Sequence, residues 1–183
     1  MNQDPTQKIE LFLKNFLASL DTQYTPTPAS NIEQYALQLG SPLKRTSSII
    51  VNGNPIIPSL QEDSKLQFQK KWLLTPLSFH QLTSFDAHLI PGTGLFVVHF
   101  AAKVKFDQLG KNRLGESADL VHAQESIVNN GLNKGQRSVW GSWFGVDCNL
   151  IIDENFNESG LGEFINSLDY RFTYIPQDSI IKV

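Results

Sequence analysis

The chain has 183 residues, 40% of them hydrophobic, which is enough for one well-buried core and short for two, so a single domain over 1–183 is expected. Its net charge of −3 lacks the positive field that holds nucleic-acid phosphates unaided, so an RNA role needs a local patch or a second subunit. The one cysteine, Cys148, excludes an internal disulfide and a thiolate zinc site and fits a reducing compartment, cytosol or nucleus. No stretch approaches the roughly 20 apolar residues of a membrane span. Asp4 stands where a secretory signal would carry basic residues, so no membrane or secretory role is expected. Asn157-Glu158-Ser159 matches the glycosylation pattern but, without a secretory route, reads as chance.

Ile9, Phe12, Leu13, Phe16, Leu17 and Leu20 recur at three- and four-residue spacing, which predicts a helix capped by Asp4 with Pro5 in its first turn. Thr25-Pro26-Thr27-Pro28 stops it. Asn31 is placed to cap a short second helix through Ile32, Tyr35, Ala36 and Leu39 to Gly40. Ser48–Val51 reads as a short strand ending at the hairpin-type Asn52-Gly53, with Pro55-Ile56-Ile57-Pro58 an edge strand at most. Ser59 and Glu62 suggest a capping box for a third helix carrying Leu66, Phe68, Trp72 and Leu73, ended by Pro76.

Beyond Pro76 the period changes to that of strands, at about 79–90, 94–107, 138–153 and 167–175. Pro91-Gly92-Thr93-Gly94 joins the first two tightly, and 108–136 is a polar excursion. Helices first and a meandering sheet second give an α+β class with the helices on one sheet face.

Alternation then divides the strands. Phe96, Val98, Phe100, Ala102, Val104 and Phe106 face inward, as do Trp140, Phe144, Val146, Cys148, Leu150 and Ile152, and Leu168, Tyr170, Phe172 and Tyr174. The opposite face carries Leu95, Val97, His99, Trp143, Ile151, Arg171, Thr173 and Ile175 among single charges. Apolar area with isolated charges is what a protein partner needs, for affinity and for register respectively. A solvated sheet with scattered apolar residues is the competing reading.

The inward sets of the last three strands contain only Cys148, Tyr170 and Tyr174 as titratable groups, with no carboxylate or histidine as a general base. Asp86, His88 and His99 suffice in number for a dyad or metal site, but on an open sheet face they fit a polar or interface role better. Gly92-Thr93-Gly94 leads into a strand, whereas a phosphate cradle leads into a helix. Lys111, Arg113, Lys134 and Arg137 in and beside the excursion are candidate cargo or RNA contacts, against the plainer reading of a solvated loop.

Five blocks carry a resemblance: Phe85-Asp86-Ala87-His88-Leu89-Ile90-Pro91-Gly92-Thr93-Gly94, Lys103-Val104-Lys105-Phe106-Asp107, Trp140-Gly141-Ser142-Trp143-Phe144-Gly145-Val146, Leu150-Ile151-Ile152-Asp153 and Tyr174-Ile175-Pro176-Gln177-Asp178-Ser179. In order and spacing they resemble the fungal mRNA transport regulator family, the small subunits of the heterodimeric mRNA export receptor. The resemblance implies a nuclear transport factor 2-like cone of three helices packed in a strongly bent antiparallel sheet. It also implies a non-catalytic subunit, without cofactor, that pairs through its sheet face with a similar domain of the large subunit. The implied heterodimer shuttles between nucleus and cytoplasm through the nuclear pore complex, meeting Phe-Gly nucleoporins and carrying messenger, and by resemblance pre-ribosomal, ribonucleoprotein cargo. Arg171 is the residue that would match the last-strand arginine of the related animal subunit, which meets an acidic residue of its partner. Enzymes of the same fold, isomerases and dehydratases, place acid–base groups inside the cone and supply the alternative function.

Overall fold

The apolar stripe near the amino terminus folds as α1 (Thr6–Leu20), and Ile9, Phe12, Leu13, Phe16, Leu17 and Leu20 are all buried. The computed structural model describes residues 5–24, 31–116, 118 and 139–181. Burying those six side chains contributes on the order of 10 kcal/mol, an upper bound because the unfolded chain is itself partly collapsed. The N-cap position is Pro5, with no side-chain cap bond; Asp4 lies outside the described residues.

Asn31 caps α2 (Ile32–Gln38) as expected, its side chain accepting from the Glu33 N–H at 2.8 Å. The helix ends at Gly40, whose φ of +61° favours glycine and where a Cβ would lie 3.0 Å from both Leu43 and Phe68. The strand after it is longer than expected, β1 (Leu43–Val51), and Asn52-Gly53 turns it into the short edge strand β2 (Asn54–Ile56). The third helix, α3 (Ser64–Leu73), starts later than Ser59. Asp63 is its cap, accepting from the Leu66 N–H at 2.9 Å, while Ser59 and Glu62 close a separate turn ahead of it.

The long strands are β3 (Ser78–Ile90), β4 (Leu95–Phe106), β5 (Phe144–Asp153) and β6 (Ile165–Tyr174). They form one six-stranded sheet in the order β2-β1-β6-β5-β4-β3. The sheet is mixed: β1 and β6 run parallel and the other neighbours antiparallel, a departure from the all-antiparallel expectation. Register shifts at Leu82/Ser84, Gly145/Val146 and Ile151/Ile152 mark bulges, which bend the strands.

Among the described residues there are three helices. α1 packs on β3 and α3 on β1, so the helices cover the inner face. The inward set of β4 is buried throughout, and one cluster joins it to α1, α3, Leu168 and Tyr170. Two inward expectations fail. Trp140 and Tyr174 are 38% and 60% exposed, because β5 begins only at Phe144 and β6 ends at Tyr174, where alternation no longer applies.

Candidate partner-binding face of the sheet

Register sets the outer residues of the four long strands in rows. Leu95 lies between Ile90 and Asp153, Val97 between His88 and Ile151, and His99 between Asp86 and Asn149. Ala101 follows between Ser84 and Asp147, Lys103 between Gln81 and Gly145, and Lys105 opposite Phe79. β6 extends these rows with Ser167 beside Ile151, Asp169 beside Asn149 and Arg171 beside Asp147. Thr173 closes over Gly145, where an added Cβ would lie 2.7 Å from its hydroxyl.

All seven residues expected on this face, Leu95, Val97, His99, Trp143, Ile151, Arg171 and Thr173, are therefore brought together. Leu95, Val97, Ile151 and Trp143 are half-buried, and His99, Arg171 and Thr173 are exposed. From Leu95 to Lys105 the face runs about 33 Å. Over four strands that is on the order of 600 Å², comparable with the roughly 800 Å² per partner of a stable interface.

The middle of the face is charged. His99 Nε2 lies 2.8 Å from Asp147 Oδ1, and Arg171 donates from Nε and Nη2 to the two Asp169 oxygens at 2.8 and 2.7 Å. The hydrogen bond to Asp169 and its charge, with a further contribution from Asp147, hold the Arg171 guanidinium above its ordinary value. Asp86 pairs with His88 at 3.1 Å and not with His99, and among the described residues no three such groups gather as a metal site.

The far end is aromatic. Phe79 and Trp140 are partly exposed, and the Phe79 ring centroid lies 6.1 Å from those of both Trp140 and Trp143. Lys105 Nζ sits over all three rings, 5.2 Å from Phe79, 5.4 Å from Trp140 and 4.9 Å from Trp143. The two tryptophans thus share the outer corner, where the sequence reading divides them. Phe79 and Trp140 were not legible as face residues. The available signal was Leu82-Thr83-Ser84-Phe85: two apolar residues three apart on one strand imply a bulge, and the bulge turns Phe79 outward and His80 inward.

The basic candidates separate. Lys111 is exposed; Lys134 and Arg137 lie outside the described residues. Arg113 is buried and faces the helices, which removes it as a cargo contact. It donates to the carbonyls of Leu20 at 2.7 Å and Thr22 at 2.8 Å, to Ser78 Oγ at 3.0 Å and to Tyr35 OH at 3.3 Å. A guanidinium there completes the carboxyl end of α1, where cations are favoured.

The interior also holds a histidine, on β3, the one long strand outside the inward sets drawn from the sequence. His80 Nδ1 lies 2.5 Å from Asp21 Oδ1, and its Nε2 is 2.9 Å from the Tyr170 hydroxyl. Burial, then the Cys148 and Asp21 charges, push the Tyr170 hydroxyl well up, so it stays protonated, and it and the Asp21 carboxylate take one imidazole nitrogen each. The Trp72 ring stacks on the imidazole at 6.2 Å. Both ring nitrogens are thus committed within the protein, and the imidazole has no nitrogen left for a substrate.

Three helices on one side of a six-stranded sheet, with an outer face that joins apolar and charged residues, define a nuclear transport factor 2-like domain. The fold is shared, at 10% identity and a TM-score of 0.50, with a nuclear transport factor 2-like superfamily protein from Salmonella enterica, covering 94% of this chain and 96% of that one. The profile of the family described as "Nuclear pore RNA shuttling protein Mtr2" matches residues 3–183, and the chain belongs to that family. It is 70% identical to the mRNA transport regulator MTR2 of Candida albicans over the whole of both chains. To that of Saccharomyces cerevisiae it is 31% identical over 94% of this chain and 89% of the other. The crystal structure of the C. albicans Mtr2–Mex67 M domain complex matches with 66% identity and a TM-score of 0.80, over 96% of this chain and all of that one.

Proposed function

We propose that this chain is the small, non-catalytic subunit of a heterodimeric nuclear export receptor and pairs through the outer face of its sheet with a Mex67-type large subunit. One observation carries the proposal: the face carries apolar side chains toward both ends, aliphatic at one and aromatic around two lysines at the other, with paired charges between them, in a chain 66% identical to the small subunit in the Mtr2–Mex67 M domain complex. Apolar rows supply affinity, and the Asp147, Asp169 and Arg171 charges fix register. The heterodimer carries messenger ribonucleoprotein, and pre-ribosomal particles, through the nuclear pore by way of Phe-Gly nucleoporins, shuttling between nucleus and cytoplasm. RNA contact belongs to the heterodimer, where weak sites add. A single domain over 1–183 suffices for this role.

Co-expression with the large subunit of the same organism tests the proposal. Co-elution at one-to-one stoichiometry is the expected result, and separate elution overturns it. The isomerase or dehydratase alternative has less support, because the interior histidine is locked between Asp21 and Tyr170 beneath Trp72.

A further inference from the structure

Lys103 and Lys105 occupy the aromatic end of the outer face, and neither has a carboxylate within ion-pair distance among the described residues. Every other charge in the central rows, Asp86, His88, His99, Asp147, Asp169 and Arg171, has an intramolecular partner. Lys105 is distinct from Lys103 in being half-buried. Its ammonium is held over Phe79, Trp140 and Trp143 at 4.9 to 5.4 Å, which fixes its position and strips part of its water. A positioned, partly desolvated cation without a counter-ion among the described residues, framed by partly exposed rings, is a site for an acidic side chain that arrives with apolar surface around it.

We infer that the Phe79–Trp140–Trp143–Lys105 corner is an anchoring subsite of the partner interface and receives a carboxylate of the large subunit on Lys105. The inference rests on the reading of the outer face as the pairing surface and adds the chemistry of one contact to it. The corner sets register: a partner shifted by one row along β4 would bring its carboxylate to Lys103, which is exposed, and one shifted by two rows to Ala101, which has no charge to offer.

The test is titration of the purified chain with the large subunit's paired domain, at low and moderate salt, for Lys105→Met, Phe79→Ala and Ile151→Asp. Lys105→Met keeps most of the stem over the rings and removes the charge, and is expected to weaken pairing by at least about 10-fold and to flatten its salt dependence. Lys105→Glu is expected to weaken it further and to be rescued by a partner variant with one interface carboxylate changed to lysine. Phe79→Ala, which loosens the cage, should fall between wild type and Lys105→Met. Unchanged affinity and salt dependence in Lys105→Met, with Ile151→Asp abolishing pairing, overturns the corner and leaves the pairing face standing. Unchanged affinity in all three overturns both.

Discussion

His80 and His99 each sit against an aspartate, at 2.5 and 2.8 Å, on opposite faces of the same sheet. The His80 side chain is fully buried and that of His99 is 52% exposed, which separates their consequences. Inside, His80 and Tyr170 are closed off from water, so losing one member of the Asp21–His80–Tyr170 chain leaves a buried group unsatisfied. Outside, water competes for the His99–Asp147 pair and takes over when it breaks. The inner network therefore holds the fold, while the outer pairs are available to a partner at little cost to stability.

Removing Arg113 should be the most damaging change. Arg113→Met leaves the Leu20 and Thr22 carbonyls without their charged donor and is expected to destabilise the isolated chain by about 3 kcal/mol, read by chemical denaturation. His80→Ala should follow at about 2 kcal/mol, from the stranded Asp21 carboxylate and Tyr170 hydroxyl. Costs below about 0.5 kcal/mol for either would dissolve the distinction between the faces.

The edge of the comparison is the Lys44–Asp153 pair, at 2.6 Å and partly buried beside the outer rows. Burial pushes the Asp153 carboxyl up, but hydrogen bonds from Asn166 and Lys44 and the Lys44 charge outweigh it, holding the group below its ordinary value. A depressed carboxyl contributes stability that is present above its unfolded pKa of about 3.9 and is lost as pH falls through the lower folded value. Lys44→Met should shrink that acid-side loss by about 1 kcal/mol, read from denaturation curves taken from about pH 5 downward. The smallest effect is expected at the surface: His99→Ala should change the stability of the isolated chain by less than about 0.5 kcal/mol.

What the sequence disclosed follows the same division. The helix stripes, the Asn31 cap and the β4 alternation are local, periodic signals, and the structure realises them. So are Leu95, Val97 and Ile151, whose common face follows from alternation and register. His80, Phe79 and Trp140 escaped because a bulge near Thr83 and an irregular lead-in before Phe144 break the period on which the reading depends. Arg113 escaped for another reason: its acceptors are 35 to 93 residues away, on α1, α2 and β3, and no local pattern reports such a contact. Asp63 displaced Ser59 as a cap through a competition between two acceptable residues four apart, which composition alone does not decide.

The most direct test of the proposed pairing face is calorimetric titration of Ile151→Asp with the large subunit's paired domain, alongside a thermal melt of the free variant. Ile151 is half-buried between Val97 and Ser167, so on the proposed pairing a charge there would be buried against the partner without a counter-ion. The account predicts an affinity loss of about 100-fold or more. The melting temperature should stay within a few degrees of the parent. Wild-type affinity in a folded Ile151→Asp chain would contradict it.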